Sequence, residues 1–327
     1  MVMNKKEVFI TAGILITGVF SGTHYCLSNE EPQGKESKNK AVVEGPRGHI
    51  DIANEQYKQA LEYAKYGMFD ETIDMCLKSL ATNPNNADAY KNLGLAYSQK
   101  GMYDKAIEAF SKAVEKRPEG AEDFYNLGAA YFDKGEYDKA INAFKKTLQI
   151  SQEHRSALSL LGIAYSKIGK YDDAINILKK RIALDTNLPI AYSNLGIVYS
   201  MKGKEKDAIA QFKKALEIDP NHENALYNMG LLYDRSENVD AAIQYLSKTV
   251  EANKNNSDAQ YRLAKNYMKK KRYDDAINAY QTVAMLDSNN ADIYNDLGNA
   301  CKAKGMKEEA DTYFSLYKKK SEAGKKK

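Results

Sequence analysis

The chain of 327 residues carries 48 basic and 44 acidic side chains, and a net charge of +4 is too balanced to mark a nucleic-acid binder. No HExxH, CxxC, GxSxG or phosphate-loop pattern occurs, and the four histidines (His24, His49, His154, His222) lie far apart. The chain is therefore not expected to be an enzyme, and no cofactor, metal or small-molecule substrate is expected.

Residues 1–29 differ in kind from the rest. Lys5 and Lys6 precede the apolar run from Val8 to Phe20, which suits a secretory signal core and is short for a bilayer span. One reading is a signal peptide cut after Ser21; the other is a retained amino-terminal membrane anchor extended to Leu27. A helix that caps the first repeat is a third. The first two readings leave the lysines in the cytoplasm and export the bulk of the chain, to the periplasm or cell surface. Cys26 follows Thr23-His24-Tyr25, without the small residue that lipid modification needs beside the cysteine. Residues 30–52 are rich in Gly, Pro, Lys and Glu and read as a disordered linker, with a reach of about 25–30 Å.

From residue 53 to about 320 one pattern returns. Gly94, Gly128, Gly162, Gly196 and Gly230 are spaced by 34 residues, and Ala264 and Gly298 keep the phase. Number each unit from 1 to 34, with Ala87 as position 1 of the second unit. Tyr90, Leu93, Gly94 and Tyr97 then fall at positions 4, 7, 8 and 11, one face of a helix. Ala106, Phe110, Ala113 and Val114 repeat that spacing at 20, 24, 27 and 28. Gly101 supplies the turn between the two helices, and Pro118 ends the second. The unit is an antiparallel helical hairpin, and hairpins in strict phase stack because none can bury its apolar face alone. Tyr63, Tyr97, Tyr131, Tyr165, Tyr199, Tyr233 and Tyr267 recur at position 11 as packing residues. Cys76 and Cys301 fall on core positions seven units apart, too distant for a disulfide. Residues 321–327 close the chain as a basic tail; with Lys318, Lys319 and Lys320 it reads as a solubilising end, the alternative being salt-sensitive contact with anionic lipid or RNA.

Tyr90, Leu93, Gly94, Tyr97, Ala106, Phe110, Ala113 and Pro118 match the tetratricopeptide repeat position for position, and the resemblance extends over eight units: 53–86, 87–120, 121–154, 155–188, 189–222, 223–256, 257–290 and 291 to about 320. It implies an all-α fold, a right-handed superhelical solenoid whose first helices line a concave groove. The departures are local. Ala60 and Thr72 stand in unit 1 where Gly and Ala are usual, Glu237 replaces the turn glycine of unit 6, and unit 7 has Ala264 and Lys271 and lacks the proline.

In this family the groove is drawn from positions such as 2, 5, 6, 9 and 12. Position 6 carries Asn92, Asn126, Asn194 and Asn228, with Leu160 interrupting. A carboxamide both donates and accepts, so such a ladder pairs with a peptide backbone of any sequence, and it resembles the peptide-holding ladder of the O-linked N-acetylglucosamine transferase repeats. Position 9 carries Leu95, Ile163, Ile197 and Leu231, and position 5 adds Tyr125 and Tyr227. These residues are the groove candidates, with packing between neighbouring first helices as the competing reading. The carboxylate clamp of chaperone-binding members is not assembled: Leu95 follows Lys91, and Asp258 stands before Arg262.

The sequence thus predicts a non-catalytic scaffold or adaptor, membrane-tethered or exported, that holds a peptide or helix of a protein partner in its groove. Replacing the four asparagines by alanine is then expected to abolish capture. The alternatives are a structural spacer or self-assembling element of an envelope complex, changed by substitutions near Tyr313 and Tyr317, and a targeting subunit for an enzyme on another chain.

Overall fold

The computed structural model describes residues 46–324, with side chains from 51 to 323. Among the described residues there are sixteen α-helices and no strand: α1 (Pro46–Lys65), α2 (Phe69–Thr82), α3 (Ala87–Gln99), α4 (Tyr103–Lys116), α5 (Ala121–Lys134), α6 (Tyr137–Ile150), α7 (Arg155–Lys167), α8 (Tyr171–Ala183), α9 (Pro189–Met201), α10 (Glu205–Ile218), α11 (Glu223–Arg235), α12 (Val239–Ala252), α13 (Ser257–Lys269), α14 (Tyr273–Leu286), α15 (Ala291–Lys304) and α16 (Lys307–Gly324). They fall into two compact units divided after Leu184, the first holding α1–α8 and the second α9–α16. Each unit is an all-α solenoid of four hairpins, in which every helix packs on its neighbours in sequence. In the first unit adjacent first helices also touch, α1 on α3, α3 on α5 and α5 on α7; in the second unit this contact is close between α9 and α11 and falls away beyond.

A close approach at position 8 fixes each hairpin. A Cβ on Gly94 would lie 2.6 Å from the Phe110 ring, and one on Gly128 would lie 2.7 Å from Phe144. Glycine makes room for the ring at position 24 in these hairpins, whereas in the seventh Ala264 is buried in one cluster with Tyr280 at position 24. In the first hairpin Ala60 is tolerated because the small Cys76 faces it, both fully buried in one cluster. The turn at position 15 is left-handed throughout: Gly101 has φ +70° and Gly135 +86°, while Glu237 and Lys271 hold +59° without being glycine. Those two departures keep the turn and cost about 1–2 kcal/mol each, because Cβ crowds the carbonyl in this region.

Two boundaries move. Residues 46–52, read as linker, form the start of α1; Pro46 does not oppose this, since the amide it lacks has no partner in a first turn. The helix is tied down where Ser79 Oγ donates to the Ala53 carbonyl at 2.8 Å. At the other end α16 runs to Gly324, so residues 321–324 of the basic tail are helical. The leader 1–29, the linker up to residue 45 and Lys325–Lys327 lie outside the described residues. No helix among the described residues is long and apolar enough to cross a membrane. Cys76 and Cys301 are both buried free thiols.

Candidate partner-binding surface

The odd-numbered helices carry the groove candidates, and the structure buries nearly all of them. Asn92, Asn126, Asn194 and Asn228 are buried, as are Tyr125, Tyr227, Leu95, Ile163 and Ile197; Leu231 is half-buried. Close packing of neighbouring first helices closes that face, so the apolar stripe at position 9 is packing and not an open surface. The asparagines serve the fold in different ways. Asn92 Nδ2 donates to the Asp88 carbonyl (2.9 Å) and to the Tyr57 hydroxyl (2.8 Å), and Asn228 Nδ2 donates to the Asn224 carbonyl at 2.6 Å. Asn126 is fully buried with neither Nδ2 nor Oδ1 partnered.

Position 5 turns out to be a latch between hairpins. The tyrosine of one hairpin meets position 6 of the next: Asn92 reaches Tyr57, Arg262 Nε donates to the Tyr227 hydroxyl at 3.2 Å, and the Asp296 carboxylate lies near enough to Tyr261 for its charge to act on the phenol. Burial, with the Asp296 charge second, pushes the Tyr261 phenol up to about 12. After Tyr125 the residue at the corresponding position 6 is Leu160, which offers no hydrogen bond. The Tyr125 ring lies instead against His154, centroids 4.9 Å apart, while His154 Nε2 pairs with Glu122 at 3.0 Å and Nδ1 caps α7 by accepting from Ala157 N.

A second set of contacts went unrecognised among the mixed charges of the hairpin surface. Position 13 or 14 of one hairpin reaches position 17 or 18 of the one before: Lys100 to Asp70, Lys134 to Asp104 (2.7 Å), Arg235 to Glu205 (2.8 Å), Lys270 to Asp240 (2.9 Å) and Lys304 to Asp274. A charge alternation at a separation near 30 residues was the available signal. The rung is absent at Ile168, and in the first hairpin position 14 is the exposed Tyr66. Between α3 and α5 the buried Asp123 accepts from Arg117 Nε at 2.6 Å, and Arg117 Nη2 also reaches Asp88 at 3.0 Å. Burial alone would raise the Asp88 carboxyl, but Arg117 and Lys91 outweigh it and hold it below the usual range.

The two terminal faces differ from the internal ones. Positions 3 and 7, buried as Ala89 and Leu93 or Ala157 and Leu161, are the exposed Glu55 and Gln59 in α1. Position 21, buried as Ile141, Ile175 and Ile277, is the exposed Asp311 in α16, and position 28 is the exposed Lys318. Both faces are polar where stacking would need apolar contact.

Exposed side chains at the groove positions of the first helices lie mainly on α1 (Asn54, Lys58), α13 and α15. Lys265, Lys269, Asn299 and Lys302 are exposed on the last two, and Arg262, Tyr261 and Asp296 half-buried. These side chains suit binding by charge and hydrogen bonding. Among the described residues there is no group of His, Cys, Asp and Glu that would hold a metal.

Comparison with known proteins agrees with this architecture. A family model described as "Anaphase-promoting complex, cyclosome, subunit 3" matches residues 99–181 and 201–283. Models described as "TPR repeat" and "Tetratricopeptide repeat" match residues 265–305, and 75–108 and 159–223. No curated protein sequence matches the chain. Among solved structures, that of MamA is similar at 30% identity and a TM-score of 0.50, over 52% of this chain and 93% of MamA. A tetratricopeptide repeat protein from Parabacteroides merdae is similar in fold, with 17% identity and a TM-score of 0.62 over 76% of this chain and 99% of its own. YrrB, described as a TPR protein with an unusual peptide-binding site, has 27% identity and a TM-score of 0.47 over 56% of this chain and 95% of its own.

Proposed function

Because this chain belongs to the tetratricopeptide repeat family, we propose that it is a non-catalytic interaction scaffold that captures a segment of a protein partner on its first-helix face. The observation that carries this reading is the contrast between surfaces. Both terminal faces are polar at the stacking positions, whereas α13 and α15 leave charged and hydrogen-bonding side chains open on the inner side. The buried asparagines are not the capturing groups in this reading, and their substitution by alanine tests packing more than binding.

We place the repeats outside the cytoplasm, tethered or released by the leader, on the support of Lys5 and Lys6 ahead of the apolar run from Val8 to Phe20. The test is capture from native membranes with residues 46–327, followed by lysine crosslinking and mass spectrometry. Crosslinks from Lys265, Lys269 or Lys302 to one partner support the scaffold. Crosslinks confined to second helices would move the interface to the outer face, and capture of no partner would overturn the reading.

A further inference from the structure

Resting on the tethered form of that reading, we propose that the outer face of α6 and α8 lies against the membrane that holds the leader and binds its anionic lipid headgroups. Charge is unevenly spread along the chain. Residues 139–184 hold nine basic and three acidic side chains, a surplus of six, whereas the whole chain has a surplus of four. Within this stretch Lys145 and Lys146 stand at positions 25 and 26 of the third hairpin, and Lys179 and Lys180 at the same positions of the fourth. All four are exposed. Both hairpins belong to the first compact unit, so equal repeat positions bring the two pairs onto one side of it.

The two preceding second helices also carry lysine at position 26, and they answer it with acid. Lys78 on α2 meets Asp74, at position 22, at 2.7 Å, and Lys112 on α4 meets Glu115, at position 29, at 3.0 Å. On α6 those two positions are Asn142 and Gln149, and on α8 they are Asn176 and Ala183. The acids of both helices, Asp138, Asp172 and Asp173, stay in their first turns. Between them α7 has no acid, and the one other in the stretch is Glu153, in the loop after α6. Lys146, Lys179 and Lys180 make no ion pair among the described residues, and Lys145 Nζ stands 5.6 Å from the centroid of the Tyr165 ring on α7. Burial depresses the Lys167 ammonium at the end of α7, and no carboxylate counters it.

Surplus lysine suits a nucleic acid as well as a bilayer, and the residues beside it decide for the bilayer. Ile150 stands one turn beyond Lys146 and is 41% exposed, an apolar side chain among ammonium groups, as at a membrane surface. Tyr165, the ring next to Lys145, is buried and cannot stack a base. Lysine stems lie along such an apolar border while their ammonium groups meet headgroup phosphates. Residues 30–45, read as linker, span about 20–25 Å. A leash of that length keeps the first unit concentrated at the surface, so that individually weak contacts suffice.

The experiment measures sedimentation of the full chain with vesicles of phosphatidylcholine alone and of an equal mixture with phosphatidylglycerol, at low and physiological ionic strength. Association with the neutral vesicles reports the leader. The anionic vesicles are expected to bind more of the chain, and the gain to shrink as salt rises. Replacing Lys145, Lys146, Lys179 and Lys180 together by glutamine is expected to lower that gain about tenfold or more, with the helical signal unchanged. A control replaces Lys78, Lys112, Lys213 and Lys214, exposed lysines of other second helices, by glutamine and is expected to keep the gain. No gain on anionic vesicles, an equal loss in both variants, or lysine-dependent binding of an oligonucleotide tighter than that of the vesicles would each overturn the proposal. If the gain is absent while the protein partner is still captured, this face falls and the scaffold stands; if capture fails while the gain persists, the scaffold falls and this face stands.

Discussion

Single residues of this chain look alike and do different things. Asn92 and Asn126 occupy the same repeat position, yet the first bridges two hairpins and the second is buried without a partner. An unpaired buried carboxamide costs its desolvation, so Asn126→Leu is expected to raise stability by about 1–3 kcal/mol. Asn92→Leu is expected to lower it by about 1 kcal/mol, because the Tyr57 hydroxyl loses its donor. Denaturant midpoints of the two variants check this; stabilisation by both would refute the latch. Position 6 was legible in the sequence as a ladder. Its burial was not, because exposure depends on how closely the next first helix packs.

His222 carries a pH dependence of definite sign. Burial depresses its imidazole below the ordinary value of 6.5, against the charges of Asp219 and Glu223. The folded state favours the neutral ring, so the unfolded chain binds more protons and stability declines as pH falls through 6.5 toward the lower folded value. His222 heads α11 without a side-chain cap, whereas Asn86 and Asn256 cap α3 and α13 at the same position. His222→Asn is therefore expected to remove this contribution to the pH slope and to add about 1 kcal/mol, measured as melting curves at pH 7.5 and 5.5.

At the scale of the hairpin, the period and the turn were readable because helix spacing and glycine leave direct marks. Gly94 makes room for Phe110 and Ala60 faces the small Cys76, but Ala264 sits in one cluster with Tyr280, so the volume at position 24 does not by itself set position 8. Glu237 and Lys271 stand where the other turns carry glycine, and the structure keeps both turns left-handed. Lys271→Gly is accordingly expected to stabilise the seventh hairpin by about 1 kcal/mol, the relief of crowding exceeding the added freedom of the unfolded chain. A lowered melting temperature in that variant would show that the Lys271 side chain contributes more than its backbone costs. The start of α1 at Pro46 was missed because the composition of residues 46–52 resembles the linker before them, while the helix is set by anchoring of its next turn.

At the scale of the molecule, the eight-hairpin architecture was written in the sequence, and the surface it leaves free was not. The candidate groove is filled by packing at aliphatic positions such as Leu95 and Ile163, and exposed side chains emerge at Lys265 and Asn299, position 9 of the last two hairpins. The exposed Glu55, Gln59, Asp311 and Lys318 argue against end-to-end self-assembly. The full chain is expected to scatter light as a monomer across accessible concentrations, and a concentration-dependent oligomer lost on substitution of Tyr313 and Tyr317 would restore the self-assembling alternative. The polar terminal faces also bear on how such an array lengthens. A duplicated hairpin appended at either end would press an apolar face onto Glu55 or Lys318, whereas one inserted between two internal hairpins meets apolar partners on both sides. A duplication that lengthens this array is therefore expected to be better tolerated between two internal hairpins than beside Glu55 or Lys318.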